Sequence, residues 1–171
     1  TAIDRTTAFL VSKYPRIKAE AFEAALRNRA VTLFDTYAIY DFTVQIGISP
    51  SEALWGDFTD RTLRFPELAE VVKTYRQQVW SMALADVGIS DNRLVKLISL
   101  MFIVVRTENS VPYMDTYASL EALYEQYQLV LLTNGSPSLQ KLKLEKAPKL
   151  RKYFKKIIIS GDFGQGKPAP D

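Results

Sequence analysis

The sequence predicts an α/β protein, with a partial Rossmann-like parallel-sheet core preceded by a long α-helical domain. Three observations carry this reading. Through the first two thirds of the chain, apolar residues recur three and four positions apart. In the last third, two short aliphatic runs, Leu129-Val130-Leu131-Leu132 and Ile157-Ile158-Ile159, flank a lysine-rich amphipathic segment. A polar, glycine-containing turn follows each run. Two aliphatic runs separated by a helix are the pattern of a parallel βαβ unit buried on both faces.

Along the chain, Ile3, Leu10, Val11 and Tyr14 predict a helix ending before Pro15. Ala21, Phe22, Ala25, Leu26 and Leu33 predict a second, running into the aromatic-rich stretch 34–42, and Gly47 closes that region. Ser49-Pro50-Ser51-Glu52 has the form of a capping box with proline at the first helical position. A helix is expected to start there, with Leu54, Trp55, Phe58 and Thr62 on its apolar face. Another opens at Pro66, carries Leu68, Val72, Tyr75, Val79 and Met82 on one stripe, and ends at Gly88. Ser90 is placed to cap the next helix. Its residues Leu94, Val95, Leu97, Ile98, Met101 and Phe102 are apolar enough to predict burial from more than one side. All these stripes read as core rather than as cofactor contacts. The character changes at Asn109-Ser110-Val111-Pro112, after which a helix over 116–126 leads into the first aliphatic run.

Composition narrows the chemistry. A chain of 171 residues, 47% hydrophobic, can bury one sizeable core, or a small core with a helical appendage. It contains neither cysteine nor histidine, which excludes disulfides, thiolate nucleophiles, Cys/His zinc sites and every Ser-His arrangement. Chemistry must rest on carboxylates, hydroxyls, lysine, amides or a hard metal ion. The net charge of +3 arises near the carboxyl end, where lysines cluster between residues 141 and 156. That stretch reads as a solvated helix face, and nucleic-acid binding is not expected because the aromatics cluster elsewhere. No run approaches the roughly 18 apolar residues of a membrane span, and the amino end lacks a signal-peptide pattern. A cytoplasmic location is the expectation.

Ligands of parallel sheets sit beyond the carboxyl ends of the strands. The residues there are Thr133-Asn134-Gly135-Ser136 and Ser160-Gly161-Asp162-Phe163. Thr133, Asn134 and Gly135 supply a hydroxyl, an amide and a glycine where the next helix opens, and helix amino ends favour anions. A phosphate suits this place. A plain turn, using Asn-Gly for its tolerance of positive φ, accounts for the same residues equally well. Lys167 lies in the loop Gly164-Gln165-Gly166-Lys167-Pro168-Ala169-Pro170-Asp171, whose glycines permit close approach and whose prolines hold it extended. Taken alone, that loop is equally a surface turn, and its spacing does not fit a Walker loop.

Together, Leu131-Leu132-Thr133-Asn134-Gly135 and, some thirty residues on, Ile158-Ile159-Ser160-Gly161-Asp162 with Gly166-Lys167-Pro168-Ala169-Pro170 resemble motifs two and three of the haloacid dehalogenase-like (HAD-like) hydrolase superfamily. The resemblance implies that Thr133 and Asn134, with Gly135, bind the transferring phosphoryl group. It implies that Lys167 steadies the negative charge of nucleophile and phosphate, so that Thr133 and Lys167 are the catalytic candidates. It also divides the chain into a linker after the first motif (1–12), an α-helical cap (13–108) and a partial core (109–171). Pro112 and the following helix resemble the segment that re-enters the core, with Asp115 where many members have glycine.

The first motif, Asp-x-Asp-x-Thr/Ser, has no counterpart, since no two aspartates are separated by one residue. The acidic pair of the fourth motif normally follows the lysine, and Asp162 precedes it. The nucleophile, the general acid and at least two magnesium-binding carboxylates are therefore expected outside these 171 residues. No metal ligand is assigned within the chain, and the chain alone is expected to be inactive. For the complete protein the resemblance implies a Mg2+-dependent phosphatase acting on a small phosphorylated metabolite through an aspartyl-phosphate. The alternatives are a 2-haloacid dehalogenase and a non-catalytic interaction module. Arg27, Arg61 and Arg64 are candidates for an anionic substrate, with solvated helix charge the leading reading of each. Two strands alone would expose apolar edges and faces, so completion of the sheet by further sequence, a partner chain or self-association is expected.

Overall fold

The computed structural model describes residues 1–109 and 111–169. Ser110, at the change of character, and Pro170 and Asp171, at the end of the lysine loop, lie outside the described residues. Six helices come first: α1 (Ala2–Lys13), α2 (Ala19–Phe34), α3 (Tyr40–Ile46), α4 (Pro50–Ala53), α5 (Phe65–Asp86) and α6 (Asn92–Glu108). Then follow α7 (Thr116–Tyr124), β1 (Leu129–Thr133), α8 (Pro137–Glu145), α9 (Pro148–Arg151) and β2 (Phe154–Ile159), with a 3-10 turn over Ser160–Asp162. The strands pair in parallel, Leu131 against Ile157 and Thr133 against Ile159. This is the expected α/β arrangement, a small Rossmann-like sheet with a large helical part.

The helical part is organised around α5, which packs against α2 and α6. Leu68, Val72, Tyr75 and Val79 are buried, as their stripe predicts, and Trp80 joins them. The Trp80 ring lies 6.3 Å from that of Phe22 and 5.3 Å from that of Phe102, tying three helices together. Phe34 and Tyr75 meet at 4.9 Å. Each such fully buried large side chain contributes on the order of 1.5–3 kcal/mol of transfer free energy. The helix that Ile3, Leu10, Val11 and Tyr14 predict is α1, which packs on α2 and α6 and opens with a capping box of Thr1 and Asp4. Gly47 and Gly88 take positive φ at the ends of α3 and α5, as anticipated.

Three expectations are corrected. The Ser49–Glu52 capping box forms, but α4 is a single turn. Leu54, Trp55 and Phe58 are still buried, from a loop rather than a helix face, whereas Thr62 is exposed. The reason is Arg76, buried on α5. Its guanidinium donates to the carbonyls of Ala53 (3.0 Å) and Gly56 and pairs with Asp57 (3.0 Å). Those carbonyls are acceptors that a continuing helix would have used. Asp91, not Ser90, caps α6, accepting from Arg93 N (2.8 Å) and Leu94 N (3.2 Å). Finally, α6 is buried on one side only, since Leu97, Leu100 and Val104 face solvent.

The sheet departs from its expectation as well. It is not buried on both faces, because Val130 and Leu132 are about half exposed, at 50% and 47%. Two strands offer too little surface for helices to cover both sides, and α7 buries none of its residues. Among the described residues no helix is long and apolar enough to cross a membrane.

Candidate active site

Both strands end at the same place, and the residues beyond them interlock. Gly135 (φ 127°) turns the chain out of β1. Its N–H donates to Ser160 Oγ (2.8 Å) and to the Ile46 carbonyl (3.0 Å), while its own carbonyl accepts from Gly161 N (3.1 Å). The Ser160 hydroxyl donates to the Ile46 carbonyl at 2.7 Å. The turns after β1 and β2 are thereby joined to each other and to the end of α3. A Cβ at Gly161 would lie 2.6 Å from the Gly135 carbonyl and 2.5 Å from Pro137, so only glycine allows this approach.

Asn134 spends its carboxamide on the lysine loop. Its Nδ2 donates to the Lys167 carbonyl (3.0 Å) and its Oδ1 accepts from the Lys167 N–H (2.9 Å). Gly166 N, next along, donates to the Gln45 carbonyl at 2.8 Å. Held at both its backbone groups, Lys167 turns its ammonium to the Leu132 carbonyl (2.7 Å), at the peptide leading into Thr133. Lys167, Leu132, Asn134, Ser160 and Phe163 line a cavity of about 330 Å3.

Thr133 lies on the other side. Strand alternation sends its side chain with that of Leu131, away from Leu132. There it lines a second cavity of about 300 Å3 with Arg106, Asn109, Gln140 and Lys143. Its hydroxyl makes a long 3.4 Å contact with the Asn134 carbonyl. Of the four residues singled out by the sequence, the fold gathers all at the carboxyl end of β1. The Asn134 side chain is engaged by Lys167, and the Gly135 N–H by Ser160 and Ile46, because each completes the hydrogen bonding of a tight backbone junction.

The N-terminus of α8 is also taken. Ser136 caps it, accepting from Leu139 N (3.3 Å), and Asp60 reaches across from the 54–64 loop. The Asp60 carboxylate accepts from Ser136 Oγ (2.6 Å), Ser138 Oγ (2.7 Å) and Ser138 N (2.9 Å). It satisfies the anion preference of that helix end from within the protein. Deeper in the same interface, Lys143 pairs with Glu52 at 2.5 Å, and Lys143 and Arg106 both stack on Trp55.

Sequence reading missed Asp60, Ser160, Lys143 and the Gln45 and Ile46 carbonyls. Ser160 stands within a quoted motif and could have been found there, whereas backbone carbonyls carry no side-chain signal. Arg27 pairs with Glu23 four residues away on α2, and Arg64 with Glu67, both at the surface. Arg61 is exposed. Among the described residues no three carboxylates, or other His, Cys, Asp or Glu side chains, gather where a metal ion could be held.

A parallel βαβ unit with Thr-Asn-Gly beyond one strand, and serine and a clamped lysine beyond the next, is the HAD-like hydrolase arrangement. No family model matches the chain. It is 34% identical over 151 residues to the phosphoserine phosphatase of Thermus thermophilus, an alignment covering 88% of this chain and 59% of that protein. It is 31% identical over 108 residues to the N-acylneuraminate-9-phosphatase of Mus musculus, covering 62% of this chain and 43% of the relative. The human protein of the same name is 28% identical over 97 residues. These relatives are HAD-superfamily phosphatases, and with the strand-end motifs they establish that the chain belongs to the HAD-like superfamily. The chain spans about half the length of these relatives, from 39% to 59%.

Proposed function

We propose that the chain is the helical cap and part of the catalytic core of a phosphatase acting on small phosphorylated metabolites. The observation that carries this is Lys167: a single ammonium fixed at the end of β1 by two hydrogen bonds from Asn134 to its backbone. With its backbone clamped, the Lys167 ammonium is kept near the carboxyl end of β1, where a cation stabilises charge as it develops on a phosphoryl group, the main requirement of phosphoryl transfer. In this reading Lys167 exchanges the Leu132 carbonyl for the phosphoryl oxygens. Thr133 donates its hydroxyl to one of them after a rotation of its side chain. Asn134 and Gly135, proposed from sequence as phosphate contacts, contribute by holding the lysine loop and the strand turn in register.

The nucleophile of the proposed aspartyl-phosphate route is an aspartate outside these residues. Mg2+ belongs to the proposal for the complete protein only, and the side chains of the described residues do not form a site that fits it. The helical part, residues 13–108, serves as the cap. The Gln45 and Ile46 carbonyls lie over the turns after both strands, which supports a closed position that excludes water from the chemistry. A cytoplasmic enzyme that binds neither nucleic acid nor membrane completes the proposal.

The test is turnover of a panel of small phosphomonoesters by the complete protein, with and without Mg2+. Lys167→Ala is expected to lower kcat by roughly 100-fold or more with little change in fold. Phosphatase activity that survives Lys167→Ala intact, or turnover of 2-haloacids in place of phosphoesters, would refute it.

A further inference from the structure

The outward face of α6 is unaccounted for by the site. Leu94, Val95, Ile98 and Phe102 bury the inner face, while Leu97, Leu100 and Val104 remain 46%, 62% and 60% exposed. At 100° per residue these three, with Arg93 at one end and Glu108 at the other, fall within an arc of about 80° directly opposite the core. Leu97, Leu100 and Val104 are spaced three and four residues apart, as in a coiled-coil seam. Leu97, one of the residues from which the sequence predicts burial on more than one side, belongs to this outer stripe.

We propose that this stripe is a self-association surface, pairing antiparallel with α6 of a second copy about a two-fold axis between Leu100 and Met101. In that register apolar residues meet apolar residues and opposite end charges meet. Leu97 meets Val104 of the second copy, Leu100 meets Leu100 and Met101, and Arg93 meets Glu108. The two-fold repeats each contact. A parallel pairing would set Arg93 against Arg93 and Glu108 against Glu108. Both end charges are available, since Arg93 is exposed and Glu108, though 2.8 Å from Lys146, keeps 61% of its side-chain exposure. A helix of 17 residues is only about 25 Å long. Its single face buries well under the roughly 800 Å2 per partner of a stable dimer. The dimer is therefore weak, with a dissociation constant on the order of tens to hundreds of micromolar.

Sedimentation velocity of the full chain over a range spanning that constant should show reversible dimer formation. Leu100→Glu, at a solvent-facing position, should abolish it with the circular dichroism spectrum unchanged. Arg93→Glu and Glu108→Arg should each weaken it several-fold, and the double reversal should restore it. Because the chain has no cysteine, Leu100→Cys places a single thiol on the axis. A short bismaleimide should then join two native copies, whereas Val31→Cys, exposed on α2, should give no cross-linked pair. A monomer throughout the range, a dimer indifferent to Leu100→Glu, or charge reversals that do not compensate would overturn the proposal. A Leu100→Cys thiol shielded from maleimide in a monomer would assign the stripe to another segment of the same protein and overturn it too.

Discussion

Replacing Asp60 by alanine removes the carboxylate that fastens the 54–64 loop to the start of α8. Three hydrogen bonds are lost, from Ser136 Oγ, Ser138 Oγ and Ser138 N, all between 2.6 and 2.9 Å. Hydrogen bonds to a charged group are each worth about 1.5–3 kcal/mol net. Asp60 is only half-buried, so water reaches the freed serines and replaces part of that interaction. A loss of about 2–3 kcal/mol is expected, including the favourable charge at the helix amino end. With a urea dependence of about 2 kcal/mol per molar for a chain of this size, the unfolding midpoint should fall by about 1 M. Trp55 and Trp80, both buried in the helical part, report the transition by fluorescence. Asp60→Asn keeps one acceptor for Ser138 N, and its amide can donate to the rotatable hydroxyls. It should cost about 1 kcal/mol. An Asp60→Ala midpoint within about 0.2 M of the parent would refute the reasoning, because the contact would then contribute nothing beyond what water supplies.

Other perturbations follow from single contacts. Tyr75→Phe leaves the buried Ala30 and Pro50 carbonyls without the hydroxyl that lies 2.9 Å from each, and should destabilise by about 1–2 kcal/mol in urea unfolding. Burial raises the Tyr75 phenol above its ordinary 10.0. Its share of stability is present below that value and is lost as pH rises toward the folded value, so the variant should show a shallower alkaline decline; an unchanged alkaline limb would count against this. Asn134→Ala should speed amide hydrogen exchange in 160–169 while leaving the helical part unaffected, and equal protection in both proteins would show that the clamp does not hold the loop. Arg29 hydrogen-bonds Asp86 at 2.7 Å through two nitrogens and holds its carboxyl below the ordinary 3.8. That contribution exists above 3.8 and is lost as pH falls through the lower folded value. Thermal unfolding of Asp86→Asn should therefore lose less stability on acidification below that point than the parent, and parallel acid limbs would contradict it.

Much of the architecture is legible along the chain because it is decided locally. The stripe of α5, the glycine ends of α3 and α5, the Ser49–Glu52 capping box and the two aliphatic strands each depend on residues within a few positions of one another. So does the grouping of Thr133, Asn134 and Lys167, since residues beyond adjacent parallel strands must share one end of the sheet. What those residues touch depended on tertiary structure. No local rule says that Arg76 would take the carbonyls of Ala53 and Gly56 and stop α4 after one turn, because the donor is twenty or more residues away. Nor does the sequence say that Asn134 would clamp Lys167, or that Asp60 would occupy the start of α8. A carboxamide or carboxylate offers the same acceptors to any donor within reach, and only the folded chain determines which donor that is. The outer stripe of α6 shows the converse. Its periodicity records an apolar face, and periodicity alone cannot distinguish a face covered by the same chain from one left for another.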